Sequence, residues 1–228
     1  MMTVMTRRCL IPGLLALMLA GCAREEKQPV PEKAVQMKHS TPDDRPVIVA
    51  FGDSLTAGQG VDAGLSYPDF LQKELDGRGY RYRVANQGIS GDTTSGGVDR
   101  VDAAVSLKPS VVILELGAND GLRGLPVETT RANLSEMIDA FERAGAKVLL
   151  CGMTLPPNYG PDYIRSFETV FRGLAREKKV TLIPFLLEGV ATRKDLMQPD
   201  GLHPTAPGNA RVAENVMKYL ERLVANRQ

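Results

Sequence analysis

The chain has no tryptophan, two histidines and three cysteines in 228 residues, and aromatic side chains make up only 5% of it. Three cysteines are too few for a disulfide framework or a four-cysteine zinc site. So few aromatics leave no stacking platform for single-stranded nucleic acid. Charge of one sign is lacking as well: 28 Lys and Arg stand against 27 Asp and Glu, a formal net charge of +1, which gives no electrostatic ground for a nucleic-acid partner. The N-terminal apolar run, Cys9–Gly21, has 13 residues. As a helix it rises about 20 Å, short of the ~20 residues that a membrane span requires. What is present is 43% hydrophobic and 24% charged, a composition that excludes wholesale disorder and is enough for one domain with a modest remainder.

Arg7 and Arg8 followed by that short apolar run form a secretory signal pattern. Its end, Leu19-Ala20-Gly21-Cys22, resembles a bacterial lipobox. The resemblance implies removal of residues 1–21, acylation of Cys22 and a membrane anchor made of two or three chains, as stable attachment requires. Ala23 after Cys22, in place of an Asp that marks inner-membrane retention, directs the expectation to the periplasmic face of an outer membrane where the organism has one. Residues 23–45 include ten charged side chains and three prolines without apolar periodicity, the composition of a flexible tether. His39 falls in it and is set aside as a catalytic group. The expected organisation is a signal at 1–21, an acylated cysteine and tether at 22–45, and a catalytic domain at 46–228.

From Pro46 the hydrophobic pattern alternates between short continuous runs and helical spacing. Strands are expected at Val47–Phe51, Tyr80–Ala85, Val111–Leu116, Lys147–Met153 and Val180–Ile183. Helices are expected over Pro68–Leu75, around Val98–Val105, over Val127–Ala144, through Ile164–Leu174 and through Val212–Leu223. Pro109 is expected to close the second of these. Five strands separated by helices predict an α/β fold: a five-stranded parallel sheet with helices on both faces, and its site beyond the strand carboxyl ends. Cys151, in an apolar stretch, reads as a small buried hydrophobe. Asp99 and Asp102 read as a solvated helix face, and the Leu122–Val127 loop, with Gly124 and Pro126, as a mobile rim.

Three polar blocks follow the first three strands and a fourth lies near the C-terminal end. They are Gly52-Asp53-Ser54-Leu55, Asn86-Gln87-Gly88-Ile89-Ser90-Gly91-Asp92-Thr93-Thr94, Gly117-Ala118-Asn119-Asp120-Gly121 and Asp200-Gly201-Leu202-His203-Pro204. Together, in this order, they resemble the SGNH (GDSL) hydrolases over residues 46–228. The similarity is greatest to the branch of bacterial thioesterase I, lysophospholipase and arylesterase, through Asn119-Asp120-Gly121-Leu122-Arg123-Gly124 and Leu196-Met197-Gln198-Pro199-Asp200-Gly201. The resemblance implies a three-layer, flavodoxin-like α/β/α fold. It also implies an oxyanion hole made of the Ser54 N–H, the Gly91 N–H and the Asn119 amide.

The chemistry agrees with that reading. A serine hydroxyl needs a base near neutrality, and once His39 is set aside His203 is the histidine that remains. Asp200, three residues earlier across a glycine, is placed to hold the imidazole tautomer. Asp53, beside the nucleophile, is expected to bond loop backbone rather than serve as the acid. No G-x-S-x-G elbow, phosphate loop or dinucleotide fingerprint occurs, and no metal or other cofactor is expected. The expected reaction is hydrolysis of small or lipid acyl esters, with thioesters as a lesser activity. A carbohydrate O-acetylesterase and a catalytically silent binding lipoprotein are the alternatives. Membrane attachment runs through Cys22, and no obligate protein partner is signalled.

Overall fold

Val47–Gly52 (β1) is buried at every position and lies between two other strands of the sheet. The structure is a computed structural model and describes residues 43–224; the expected signal, the expected acylation site Cys22 and the expected tether as far as Pro42 lie outside the described residues. The remaining strands are Arg83–Gly88 (β2), Pro109–Glu115 (β3), Lys147–Cys151 (β4) and Thr181–Ile183 (β5), and all five pair in parallel in the order β2-β1-β3-β4-β5. Among the described residues, seven α-helices connect or follow them: Ser54–Ala57 (α1), Tyr67–Gly77 (α2), Thr94–Val105 (α3), Ala118–Leu122 (α4), Val127–Arg143 (α5), Pro161–Lys178 (α6) and Ala206–Leu220 (α7). Right-handed crossovers put α2 on one face of the sheet and α3, α5 and α6 on the other, and α7, after the last strand, joins α2. In agreement, α2 packs on α7, while α5 packs on both α3 and α6.

β1 and β3 form because runs of apolar, mostly β-branched residues have both faces covered. Ile48, Val49, Phe51, Val112, Ile113 and Leu114 are all fully buried, and each such side chain is worth roughly 1.5–3 kcal/mol of transfer free energy. Phe51 meets Phe141 of α5 edge-on, with ring centroids 5.5 Å apart. Cys151 is buried and free. Asp99 and Asp102 lie on the exposed side of α3. Among the described residues, no helix is long and apolar enough to cross a membrane.

Several boundaries move. The second strand runs three residues later than its apolar pattern indicates, because pairing with β1 begins at Val47↔Arg83 and ends at Gly52↔Gly88. As the edge strand it carries the half-exposed Asn86 and Gln87, which a central strand would exclude. Pro109 opens β3 rather than closing α3, at a strand's first residue, where a missing N–H costs least. The compact unit begins at Asp43: Arg45 pairs with Asp43 at 2.8 Å and donates to the Tyr82 carbonyl at 3.2 Å. The Leu122–Val127 loop is strapped down at two points, since Tyr159 Oη donates to the Leu122 carbonyl at 2.8 Å and Tyr163 Oη to that of Leu125 at 2.9 Å.

Candidate active site

The order 2-1-3-4-5 reverses direction between β1 and β3, and a crevice opens there beyond the strand ends. Ser54 follows β1, Gly91 follows β2 and Asn119 follows β3; His203 arrives on the loop before α7. All four line one cavity of about 540 Å³. Its other walls are largely apolar, with Leu122, Met153, Leu155, Phe185, Leu187 and Met197 among them.

The Ser54 loop is built around Asp53. Its Oδ1 accepts the Leu55 N–H at 3.0 Å, which caps the single turn of α1. Gly52 is required by close approach: a Cβ there would strike Thr56 Oγ1 and Glu115 Oε2. Ser54 Oγ lies 2.9 Å from His203 Nε2, and His203 Nδ1 lies 2.7 Å from Asp200 Oδ2. The carboxylate can only accept, so Nδ1 carries the proton and Nε2 is left to receive that of Ser54. The other Asp200 oxygen accepts the N–H groups of Leu202 at 2.9 Å and His203 at 3.0 Å, which folds the Asp-Gly-Leu-His turn. Desolvation works to raise the Asp200 carboxyl, but the bonds from the His203 ring and these two N–H groups outweigh it and hold it near 2. Gln198 fastens this loop to the first block through Nε2, which donates to the carbonyls of Gln59 at 2.7 Å and Pro204 at 2.9 Å.

Neither the Ser54 nor the Gly91 N–H is engaged by another group among the described residues. Gly91 adopts φ +81° with open space around a Cβ position, where the nearest atom is Arg123 Nη2 at 3.8 Å. Glycine is therefore favoured there by backbone conformation, not by crowding within the protein. The Asn119 amide donates to Asp53 Oδ2 at 3.0 Å and to the Asp92 carbonyl at 2.9 Å. Asp120 joins the second and third blocks: its carboxylate accepts the Thr94 N–H at 2.9 Å and the Thr94 hydroxyl at 2.5 Å.

Three supporting residues escaped the sequence reading. Arg100 of α3 donates to the Gly52 carbonyl at 2.9 Å, the Gln87 carbonyl at 2.8 Å and the Asp92 carboxylate at 2.7 Å, with its guanidinium 3.8 Å above the Phe51 ring. It clamps the ends of β1 and β2 together. Glu115, fully buried at the end of β3, accepts the Asp53 N–H at 3.1 Å and the Thr56 hydroxyl at 2.8 Å through Oε2, while Oε1 has no partner. Burial and then the Asp53 charge push the Glu115 carboxyl well above the usual range. Burial likewise raises Asp53, to about 6, against the pull of the Leu55 N–H. Tyr67 completes the buried chain, 3.1 Å from Thr56 Oγ1. A lone carboxylate inside Val111–Leu116 was the available signal for Glu115. Among the described residues, no group of three or more His, Cys, Asp or Glu is arranged to hold a metal.

Esterase TesA of Pseudomonas aeruginosa is 44% identical over 178 residues, which span 78% of this chain and 89% of that protein. The arylesterase of Vibrio mimicus is 40% identical over 76% of this chain and 87% of its own. Thioesterase 1/protease 1/lysophospholipase L1 of Escherichia coli is 35% identical over 78% and 84% respectively. The crystal structure of TesA superposes with a TM-score of 0.76, at 44% identity, covering 78% of this chain and 99% of that one. Residues 50–211 match the GDSL-like Lipase/Acylhydrolase family, and the chain belongs to that family.

Proposed function

We propose that this protein is a serine esterase that hydrolyses acyl esters through an acyl-enzyme on Ser54. The observation that carries the reading is the unbroken relay Ser54 Oγ–His203 Nε2 at 2.9 Å and His203 Nδ1–Asp200 at 2.7 Å, opening on an apolar cavity. His203 takes the hydroxyl proton as Oγ attacks the ester carbonyl, and Asp200 stabilises the imidazolium. The oxyanion is met by the N–H groups of Ser54 and Gly91 and by the Asn119 amide. His203 then gives its proton to the leaving alcohol. Water, deprotonated by the same imidazole, releases the acid and restores Ser54.

The apolar walls accept the acyl chain and leave the alcohol toward solvent, which suits aryl esters, lysophospholipids and, more weakly, thioesters. The relatives named esterase, arylesterase and thioesterase/lysophospholipase belong to the same range. The organisation proposed with it is a signal at 1–21, a diacylated Cys22 with a tether to 45, and a hydrolase domain anchored at a membrane outside the cytoplasm. The test compares kcat/KM for aryl esters of graded chain length, lysophospholipids, acyl-CoA and acetylated sugars. Oxygen esters with longer acyl groups are expected to lead. Acyl-CoA ahead by more than about tenfold, ~1.4 kcal/mol of transition-state preference, overturns the oxygen-ester assignment. Acetylated sugar ahead replaces it with a carbohydrate esterase, and no turnover of any ester leaves a binding protein.

A further inference from the structure

The Asn119 amide has two hydrogens, and in the free site both have acceptors: Asp53 Oδ2 at 3.0 Å and the Asp92 carbonyl at 2.9 Å. Because both partners are pure acceptors when Asp53 is ionised, the amide nitrogen must face them and its oxygen must turn away. Asn119 and Asp53 both line the cavity with Ser54. The amide orientation is therefore imposed by two neighbours, and one of them is a carboxylate directly beside the nucleophile in the chain.

That carboxylate is itself tightly fixed. Asp53 is 1% exposed. Its Oδ1 is committed to the Leu55 N–H, and its own N–H rests on Glu115 from beneath. With Oδ1 held by the helix cap, Oδ2 has one direction in which to point, toward Asn119. The cap bond, the Glu115 support and the Asn119 contact form a single rigid connection between the first and third blocks.

We infer that Asp53 is a positioning residue that acts through Asn119, its carboxylate holding the amide nitrogen toward the forming oxyanion. The inference rests on the esterase reading above and assigns Asp53 a task within it. When the oxyanion forms, one amide hydrogen is shared with it, and the two resting acceptors have kept that hydrogen in range until then. No covalent step involves Asp53.

The discriminating substitution is Asp53→Asn. The new side chain keeps an oxygen for the Leu55 N–H, since Asn caps helices as well as Asp does. Its NH2 then faces the NH2 of Asn119, two donors opposed, and the amide must turn. Asp53→Ser is the second variant, with a capping oxygen retained and the Asn119 contact removed. With an aryl ester as substrate, each is expected to lose about 10²-fold in kcat, near the loss for one oxyanion donor, with KM changed less than about threefold. In the Asn119→Ala background, where kcat is already down about 10²–10³-fold, adding Asp53→Asn should cost no more than a further threefold. Separate losses that multiply in the double variant would mean that Asp53 acts on Ser54 or on the fold, and they overturn the inference. A kcat for both Asp53 variants within threefold of the parent also overturns it. Ser54→Ala is the control that separates the two claims: an active Ser54→Ala refutes the esterase mechanism itself, whereas an inactive one beside multiplying losses refutes only the role of Asp53.

Discussion

A buried carboxylate beside Ser54 has a thermodynamic cost that pH should expose. Burial raises Asp53 from 3.8 to about 6, so the folded state binds its proton more tightly than the unfolded chain does. Stability associated with a raised acid is fully present below the unfolded pKa and is lost as pH rises through the folded one. At ~1.36 kcal/mol per pH unit, the wild type gives up about 3 kcal/mol across that window; starting from pH 4, where the unfolded carboxyl has begun to ionise, about 2–3 kcal/mol remain to be lost by pH 8. Asp53→Asn removes the titration. The opposed amides with Asn119 cost the variant something, but by the same amount at each pH. Burial, the larger cause of the upward push on Glu115, is the same in both proteins. Urea unfolding of wild type and Asp53→Asn at pH 4 and pH 8 should show the difference between them moving in the variant's favour by about 2–3 kcal/mol. With m near ~2 kcal/mol/M, that is a midpoint displacement of about 1 M. In thermal melts it corresponds to roughly 5–10 °C for a domain of this size. A pH-independent difference, or one moving in favour of wild type as pH rises, would refute the placement of an ionised Asp53 in this environment.

Two further outcomes are expected. Ser54→Ala and His203→Ala should each remove most of kcat, and the double variant should be hardly worse than either, because the two work as a unit; additive losses in log kcat would show that the 2.9 Å contact between them is not used. Metabolic labelling with a fatty acid in the native host should tag the wild type and not Cys22→Ser; equal labelling of both would remove the anchor.

The first and third polar blocks were legible because each is a contiguous cluster of polar residues terminating an apolar run, and the sheet order brings those strand ends together. β1 and β3 were legible for the same reason: continuous apolar runs have few alternatives. β2 was displaced by three residues because an edge strand has no such run, and its last residues, Asn86-Gln87-Gly88, resemble a loop. The turns α1 and α4, of four and five residues, are too short for a helical period to appear. The support of the site was hidden for a different reason. Asp53 meets Glu115 across 62 positions and Asn119 across 66, and Arg100 reaches back 48 to Gly52. Nothing local in the chain encodes such pairings. Glu115 alone left a trace, as a carboxylate in a strand with every other reason to be apolar.

The central claim is that Ser54, activated by His203, is the nucleophile for ester hydrolysis, and reaction with a serine-directed alkyl phosphonate tests it most directly. Mass analysis should find one phosphonyl group per chain, located on Ser54, with esterase activity lost in proportion to its incorporation and no adduct in Ser54→Ala. An adduct on another residue, or full esterase activity remaining with Ser54 completely modified, would contradict the account.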